Sequence, residues 1–466
     1  MVATAKQRVQ KAHDLAGVSR AFRPTPLRAE EMEFYSDALN KCRSNPRRSI
    51  RKDLLEAADQ GFFFKGVLYG NRGCGKSTEI NNLLEDPAIK QKFVVVKVDA
   101  TEELNPQTFS VVDFLSLLAI NLIEQCRSVC SRNGNGFQSS WSMIDDLPNQ
   151  LKSFFPELQG KFSETMSKEG TGELNTGMFK ASIRVGGQIK EDRSNERRPL
   201  SDLGDLLKKL IKVAFDHVPG WEILVVGENF DKEQIPHHLL SDAFVQYSAI
   251  LRDLPVHLLF TLPVPFVYSN GNQLPFERAN RYPLYDAPVF DESHRKDIGG
   301  LSALTELMRL RADLDNIIEG EALQLLQRAS GGDLYLLFAL TIKAGRLAGY
   351  RNEDHPSTPR KILSADAVTV VREQLSIFRN EMGTTNLEVE TDWPTKKAKL
   401  RKIYEDDPEA AVPDPALYQL LRRRAVLFCN GKGRYAAHPL AVEMLRENFA
   451  NDPSFTYKGG GLDLPS

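Results

Sequence analysis

The sequence predicts an α/β protein whose central parallel sheet is covered by helices on both faces. Four short apolar runs, separated by helical patterns, read as the strands of this sheet. Each run is almost continuously apolar, as strands buried on both faces require, and does not alternate between apolar and polar residues. The runs occupy residues 62–69, 93–98, 221–226 and 256–262.

Composition limits the class of protein. The chain has 466 residues, 41% hydrophobic and 26% charged, which is ordinary for a globular protein. Its 60 basic and 62 acidic residues give a net charge of -2, so nucleic-acid binding would need a local basic patch. Five scattered cysteines argue against a disulfide framework, and Cys126 and Cys130 fit buried structural roles on a helix. Without an apolar leader or a run of about 18 apolar residues, we expect a cytoplasmic protein with no membrane partner.

The pattern along the chain predicts five segments. They are an N-terminal helical segment (1–55), the sheet core (56–295), a helical lid (296–380), a winged-helix region (381–456) and a flexible tail (457–466). Within the lid we expect helices at 298–311, 320–329 and 334–347, followed by a polar linker at 351–361.

Two features refine these segments. A stretch rich in Gly, Ser, Asn and charge at 132–200 reads as an insertion into the sheet core, with one short strand or hairpin at 179–189. Near the end of the chain, the sequence Asn-Gly-Lys-Gly at 430–433 is a strong hairpin turn between two helical patterns. Helix, hairpin and helix together are the outline of a winged helix-turn-helix.

A glycine-rich loop joins the first predicted strand to the helix that follows it. The pattern G-x-x-x-x-G-K-[ST] is matched by Gly70, Asn71, Arg72, Gly73, Cys74, Gly75, Lys76 and Ser77. Such glycines let successive N–H groups turn toward phosphate oxygens, and the positive end of the helix adds to them. Lys76 would contact the β- and γ-phosphates, and the Ser77 hydroxyl would bind Mg²⁺. The absence of an Asn-Lys-x-Asp motif favours ATP over GTP.

A phosphate loop of this kind needs a carboxylate on a neighbouring strand to organise Mg²⁺ and the attacking water. The third predicted strand continues into Gly227, Glu228 and, three residues later, Asp231. In one register Glu228 takes the metal-facing position with Asp231 beside it; in the other, Gly227 takes that position and Glu228 alone acts as base. We favour the first, because it uses two carboxylates. Thr261, which ends the fourth strand, fits a hydrogen bond to the γ-phosphate or water nearly as well as a plain strand residue.

Together these motifs resemble the STAND and origin-recognition-like branch of the AAA+ ATPases. Besides the glycine-rich loop, the resemblance rests on Thr78 and Glu79 after it, on Asp231-Lys232, on the FTLP sequence of the fourth strand, on SGGDL at 330–334, and on the C-terminal LLRRRAVLFCNGKGRYAAHPL. It spans roughly residues 60–445. It implies an α/β P-loop NTPase core of AAA+/STAND-like type with a helical lid and a C-terminal winged helix-turn-helix. It also implies ATP-switched conformational change, often with oligomerisation.

The resemblance assigns roles to individual residues. It makes Gly70 to Thr78 the nucleotide-binding segment, Glu228 with Asp231 the Walker B acids, and Thr261 the sensor 1 residue. Ser77 and Glu228 would then be the protein groups at Mg²⁺.

Two departures from the family pattern predict binding more firmly than rapid hydrolysis. Glu228 stands where the family usually has Asp. Tyr335 stands where the lid often carries a sensor 2 arginine, and a tyrosine cannot make a cationic contact to the γ-phosphate. Substitutes in the lid would be Arg309 or Arg311, and Arg278 and Arg281 are candidates for an arginine finger.

Three functions remain open from the residues alone. The first is a regulatory switch ATPase whose nucleotide state controls its oligomerisation or a separate effector protein, as in bacterial signalling or anti-phage defence. The alternative is a DNA-binding AAA+ ATPase of the replication-initiator or transposition-regulator type, in which Arg422 to Arg424 would contact DNA phosphates. A metabolic kinase fits less well because of the lid and the winged end. His438, before a proline at a helix start, fits a structural role or a contact to nucleotide or between domains.

Overall fold

The structure is a computed structural model that describes residues 8–132, 200–383, 391–429 and 435–464. The predicted strand or hairpin at 179–189 and the turn at 430–433 lie outside the described residues.

The chain divides into two compact units that do not follow the order of the sequence. The sheet unit comprises residues 48–69 and the described residues of 83–282. The loop unit comprises the described residues of 8–47, 70–82 and 283–464. The glycine-rich loop therefore groups with the N-terminal segment, the lid and the C-terminal region, although the sequence pattern places it inside the sheet core.

The strands are β1 (Lys65–Tyr69), β2 (Phe93–Asp99), β3 (Glu222–Glu228), β4 (His257–Leu262), β5 (Arg281–Pro283), β6 (Val426–Phe428) and β7 (Tyr435–Ala437). The helices are α1 (Val18–Ala21), α2 (Leu39–Cys42), α3 (Pro46–Gln60), α4 (Lys76–Glu85), α5 (Pro87–Lys92), α6 (Val111–Arg132), α7 (Leu200–His217), α8 (His237–Ser241), α9 (Ser248–Asp253), α10 (Val264–Ser269), α11 (Ile298–Arg311), α12 (Leu314–Ile317), α13 (Gly320–Ala329), α14 (Leu334–Asp354), α15 (Ser364–Gly383), α16 (Trp393–Tyr404), α17 (Pro415–Arg422) and α18 (Pro439–Asn448).

The five-stranded sheet has the order β2-β3-β4-β1-β5, and β2, β3, β4 and β1 pair in parallel. This confirms the predicted α/β class with a parallel sheet and a phosphate loop after its first strand. The strand β5 has three residues, too few for a sequence pattern to show. A cluster of ring-to-ring contacts forms the core beside β4, made by Phe114, Phe230, Phe244 and Phe260.

The lid helices of the loop unit follow the predicted pattern closely. Helices α11 and α13 begin and end at the expected residues. The starts of α11 and α14 are capped: Asp297 accepts a bond from Gly300 N, and Asp333 accepts one from Leu336 N. Helix α14 runs through Asp354, into the segment that the polar sequence suggested as a linker.

The C-terminal region is a helix, an antiparallel pair of strands and a further helix, formed by α17, β6, β7 and α18. The chain after it packs against this region instead of projecting as a tail. Leu462 is fully buried, and the Tyr404 hydroxyl accepts a bond from Lys458 N and donates one to Gly459 O. Across the described residues, no helix has both the length and the apolar character needed to cross a membrane.

Candidate nucleotide-binding site

Two glycines in the loop between β1 and α4 have left-handed backbone conformations. Gly73 has a φ of +88° and Gly75 a φ of +102°, in the left-handed region that favours glycine. A Cβ atom at Gly70 would lie 2.2 Å from Leu284 O, so no larger residue fits there. Together with the start of α4, this conformation provides the N–H groups and the positive helix end of an anion site.

Lys76 is the first residue of α4, and its side chain is buried at the loop. Its Nζ donates to Gly70 O at 2.8 Å and to Asn71 O at 2.7 Å. Cys74 Sγ is a third, weaker contact of Nζ at 3.8 Å, and together these contacts orient the charge at the loop. Ser77 and Thr78 lie half-buried in the same turn, and the Thr78 hydroxyl accepts a bond from Leu27 N at 3.3 Å. Thr78 is thereby joined to the N-terminal segment.

Arg43, from the N-terminal segment, supports the loop through buried bonds. Its Nη1 donates to Cys74 O at 2.6 Å and to Tyr285 O at 3.3 Å, and its Nη2 lies 3.4 Å from Glu79 Oε1. The Arg43 and Glu79 side chains are 2% and 4% exposed, so their attraction is weakly screened. The Tyr35 hydroxyl donates to the other oxygen of Glu79 at 2.9 Å. These contacts hold the loop and the first turn of α4 in one arrangement.

Asn71 joins the loop to the C-terminal strand β6. Its Nδ2 donates to Asp286 Oδ2 at 2.7 Å and lies 3.3 Å from Val426 O. Phe428 N donates to the same Asp286 oxygen at 2.8 Å. Burial raises the pKa of Asp286 to about 7, although the bond from Phe428 N acts in the opposite direction. Part of the Asp286 population is therefore protonated near neutral pH.

The turn before α14 lies directly on the loop. Leu334 N donates to Gly73 O at 3.1 Å, and a Cβ atom at Gly73 would lie 1.9 Å from Asp333 Oδ1. The other Asp333 oxygen pairs with Nη1 of Arg424, from the residues between α17 and β6. The Tyr335 ring has two guanidinium groups near it: Arg72 Cζ at 5.5 Å and Arg424 Cζ at 6.0 Å. Arg424 is thus an internal contact of the loop unit.

His438 braces the same turn from the C-terminal region. It is fully buried, its Nδ1 accepts a bond from Leu440 N, and its Nε2 lies 3.1 Å from Ser330 O, to which it donates in the neutral tautomer. Burial lowers the pKa of His438 to about 4. A Cβ atom at Gly331 would lie 2.5 Å from the imidazole ring. Of the roles expected for His438, these contacts favour a structural contact between the lid and the C-terminal region.

The predicted acids lie at the carboxyl ends of β2 and β3 in the sheet unit. Glu228 is the last residue of β3, two residues beyond the expected end of the strand, and it pairs in register with Asp99 of β2. Its side chain is 12% exposed, with Lys97 Nζ at 3.5 Å. Asn229, with a φ of +64°, donates from Nδ2 to Asp99 Oδ2 at 2.6 Å. Asp231 follows in the turn after the strand.

The two registers proposed for Gly227 and Glu228 can be compared with the faces of β3 on which these residues lie. A Cβ atom at Gly227 would lie 2.1 Å from the Phe260 ring, so that position has no room for a carboxylate. Side chains alternate between the faces of a strand, so Glu228 lies opposite to Gly227 and on the face that Thr261 shares. The Thr261 hydroxyl lies 3.4 Å from Gly227 O. The choice between the two registers and the roles of Glu228, Asp231 and Thr261 stay predictions.

Of the other arginine candidates, Arg309 is exposed, Arg278 donates to Asn272 Oδ1 at 3.2 Å, and Arg311 and Arg281 donate to backbone oxygens. Arg311 is buried, donates to Ala21 O at 3.0 Å and lies 4.4 Å from the Phe338 ring; burial lowers its pKa to about 10. Arg281 donates to Gly271 O and Phe276 O. These contacts are those of structural residues.

The residues present fit a nucleotide with Mg²⁺. Within the described ranges, no group of three or more His, Cys, Asp or Glu residues forms a metal cage. Mg²⁺ in nucleotide sites does not need one, because it is held by one or two protein oxygens together with phosphates and water. The Ser77 hydroxyl, in the first turn of α4, can supply such an oxygen.

Several residues of these regions were missed by sequence reasoning. Asp99 could have been found from the sequence, since it closely follows an apolar run, as Glu228 does. Arg43, Asp286 and the Asp333–Arg424 pair had none, because their partners are between 31 and 242 residues away in the chain.

No protein-family model matches the chain, and no curated protein matches it either. Three solved structures are similar at low identity. Drosophila ORC bound to DNA has 11% identity and a TM-score of 0.37, covering 91% of this chain and 83% of that one. The Orc1 protein of Aeropyrum pernix in complex with DNA has 11% identity and a TM-score of 0.37, covering 90% and 96%. Cdc6p from Pyrobaculum aerophilum has 10% identity and a TM-score of 0.36, covering 89% and 98%. TM-scores of this size carry no argument about function, and the fold class stands on the chain's own strand order and phosphate loop.

Proposed function

We propose that this protein is an ATP-binding switch that hydrolyses ATP slowly and whose nucleotide state controls its own oligomerisation or a separate effector protein. The ligand would be ATP with Mg²⁺, bound at Gly70 to Thr78. Glu228 would act as the base, with Asp231 and Thr261 assisting. The role in signalling or anti-phage defence that the sequence resemblance implies stays a prediction.

One observation supports a switch most strongly: the phosphate loop is bonded to both the lid turn and the C-terminal region. Gly73 O accepts a bond from Leu334 N of the lid turn, and the Asn71 side chain contacts β6 and Asp286. A ligand that moves the loop must strengthen or weaken these bonds. By thermodynamic linkage, a change in the lid turn or the C-terminal region then changes the affinity of the loop for nucleotide, typically by about 5- to 150-fold.

Nucleotide titration and sedimentation of the full chain test this proposal. We expect ATP and ADP to bind with Mg²⁺, and the sedimentation coefficient to differ among ATP, ADP and no nucleotide. Lys76→Ala removes a charge-assisted contact to phosphate and should weaken binding at least about 100-fold. Lys90→Ala, at an exposed lysine of α5, is the matched control and should bind as wild type. A wild-type chain that binds no nucleotide, or that sediments identically in all three conditions, would overturn the proposal.

A DNA-binding ATPase is the second candidate. Arg422 is exposed at the end of α17, with Arg423 beside it. Against it, Arg424 pairs with Asp333, and the basic helix α16 pairs Arg401 with Glu405 and Asp452. Gel-shift assays at low salt decide the matter. Binding that weakens in Arg422→Ala/Arg423→Ala, with a shallower salt slope, would favour this candidate.

A further inference from the structure

We propose that Arg424 is the residue by which this protein distinguishes a nucleoside triphosphate from a diphosphate. The inference rests on the proposed nucleotide site and adds to it a cation from the C-terminal region. Arg424 would also supply the cationic contact that Tyr335 cannot make.

The geometry starts from Asp333, which places a buried carboxylate against the phosphate loop. Its side chain is 4% exposed, and its Oδ1 would meet a Cβ atom at Gly73 at 1.9 Å. Arg424 Nη1 pairs with the other oxygen of this carboxylate. The Asp333 carboxylate therefore contacts both the Arg424 guanidinium and the backbone that would hold the phosphates.

The charges at this point make the arginine important for anion binding. A buried carboxylate beside the loop repels phosphate, and the repulsion grows with the number of phosphate charges. The Arg424 guanidinium offsets this charge and has five N–H donors, so a bond to Asp333 and a bond to a phosphate oxygen are compatible in one side chain. The Tyr335 ring, 6.0 Å from Arg424 Cζ, adds a cation–π attraction that holds the guanidinium near the loop.

The backbone at Arg424 gives an independent reason to assign it a role. Its φ is +58°, in the left-handed region, where a residue with a Cβ atom is strained and glycine is favoured. Its N–H donates to Leu421 O at 3.1 Å and closes the end of α17. Glycine would close this turn without strain. An arginine here therefore costs stability that only contacts of its side chain can offset, such as those with Asp333 and Tyr335.

The test uses this strain. Arg424→Gly removes the guanidinium and relieves the backbone, but it also takes away the ion pair of the buried Asp333 carboxylate, so denaturant unfolding is measured beside binding to confirm that the variant is folded. Its affinity for Mg²⁺-ATPγS should fall roughly 10- to 100-fold, and its affinity for Mg²⁺-ADP less than about 3-fold, as measured by calorimetry. Arg424→Asn, which also tolerates the left-handed region, is a second neutral variant. Arg446→Ala, at an exposed arginine of α18, is the control and should bind both nucleotides as wild type.

A double variant distinguishes a direct contact between Arg424 and the phosphate from simple neutralisation of the Asp333 charge. In Asp333→Asn/Arg424→Gly the carboxylate charge is gone, so a pure counter-ion role predicts that ATPγS affinity returns to the wild-type value. We expect instead that the ratio of ATPγS to ADP affinity stays low. Full recovery of ATPγS affinity, or an equal loss for both nucleotides in Arg424→Gly, would overturn the inference. Failure of wild type to bind either nucleotide would overturn the proposed function itself, which is a different result.

Discussion

The phosphate loop and the acidic ends of β2 and β3 differ in how their residues are brought together. The loop is a run of consecutive residues, and its two left-handed glycines are required locally by its shape. The acids Asp99 and Glu228 are separated by more than a hundred residues and come together only because β2 and β3 pair in one register. A contiguous motif can therefore be recognised in a sequence, whereas a site made of strand ends depends on where each strand stops. Three measurements test this difference between the loop and the strand ends.

The largest effect is expected on the turnover rate, from a change of Glu228 at the end of β3. Glu228→Gln keeps the shape of the side chain but cannot accept a proton, so turnover should fall roughly 100- to 1,000-fold while nucleotide affinity changes little. Phosphate release under steady-state conditions measures the rate. Glu222→Gln, at the other end of the same strand, is the matched control and should turn over normally.

The reverse outcome would reassign the strand end. If Asp231→Asn stops turnover and Glu228→Gln does not, the roles given to these acids are wrong.

The second effect tests how far the loop depends on distant parts of its own unit. Gly73→Ala places a Cβ atom 1.9 Å from Asp333 Oδ1 at a φ of +88°, and should lower the free energy of unfolding by about 2–4 kcal/mol. Gly349→Ala is the control: this glycine lies in α14 with no atom within 4 Å of an added Cβ, and alanine there should stabilise by up to about 1 kcal/mol. Denaturant unfolding measures both. Equal stabilities would show that the lid turn does not press on the loop.

The smallest effect concerns the brace on the lid turn and depends on pH. The neutral form of His438 is favoured in the folded chain, because its pKa is about 4 against an ordinary 6.5. Its contribution to stability is therefore complete above pH 6.5 and is lost as pH falls through 4. The difference in free energy of unfolding between wild type and His438→Gln should shrink by about 2–3 kcal/mol from pH 7 to pH 4.5. A constant difference across that range would mean that His438 is not buried in the neutral form.

Asp286 does not disturb this comparison. Its raised pKa, about 7, makes its own contribution fall as pH rises toward that value, which is the opposite direction. Because wild type and His438→Gln both contain Asp286, its titration cancels in their difference.

Particular elements show how much of the fold the sequence predicted. Helices α11 and α13 were expected at their observed ends, because the apolar residues of both helices recur with helical spacing. The first four strands were found within a few residues. The three-residue β5 and the burial of Leu462 were not predicted, because pairing and packing with distant residues stabilise them and leave no local pattern.

The sequence by itself determined the phosphate loop, the parallel sheet and the lid helices, since glycine conformations and apolar periodicity act over a few neighbouring residues. Only the tertiary structure decided which groups face that loop. Arg43, Asp286, Asp333 and Arg424 are brought to it from segments far apart in the chain, and their effect comes from charge and hydrogen bonding across short distances in a buried setting. Such contacts depend on chain folding over hundreds of residues, and no local spacing encodes them.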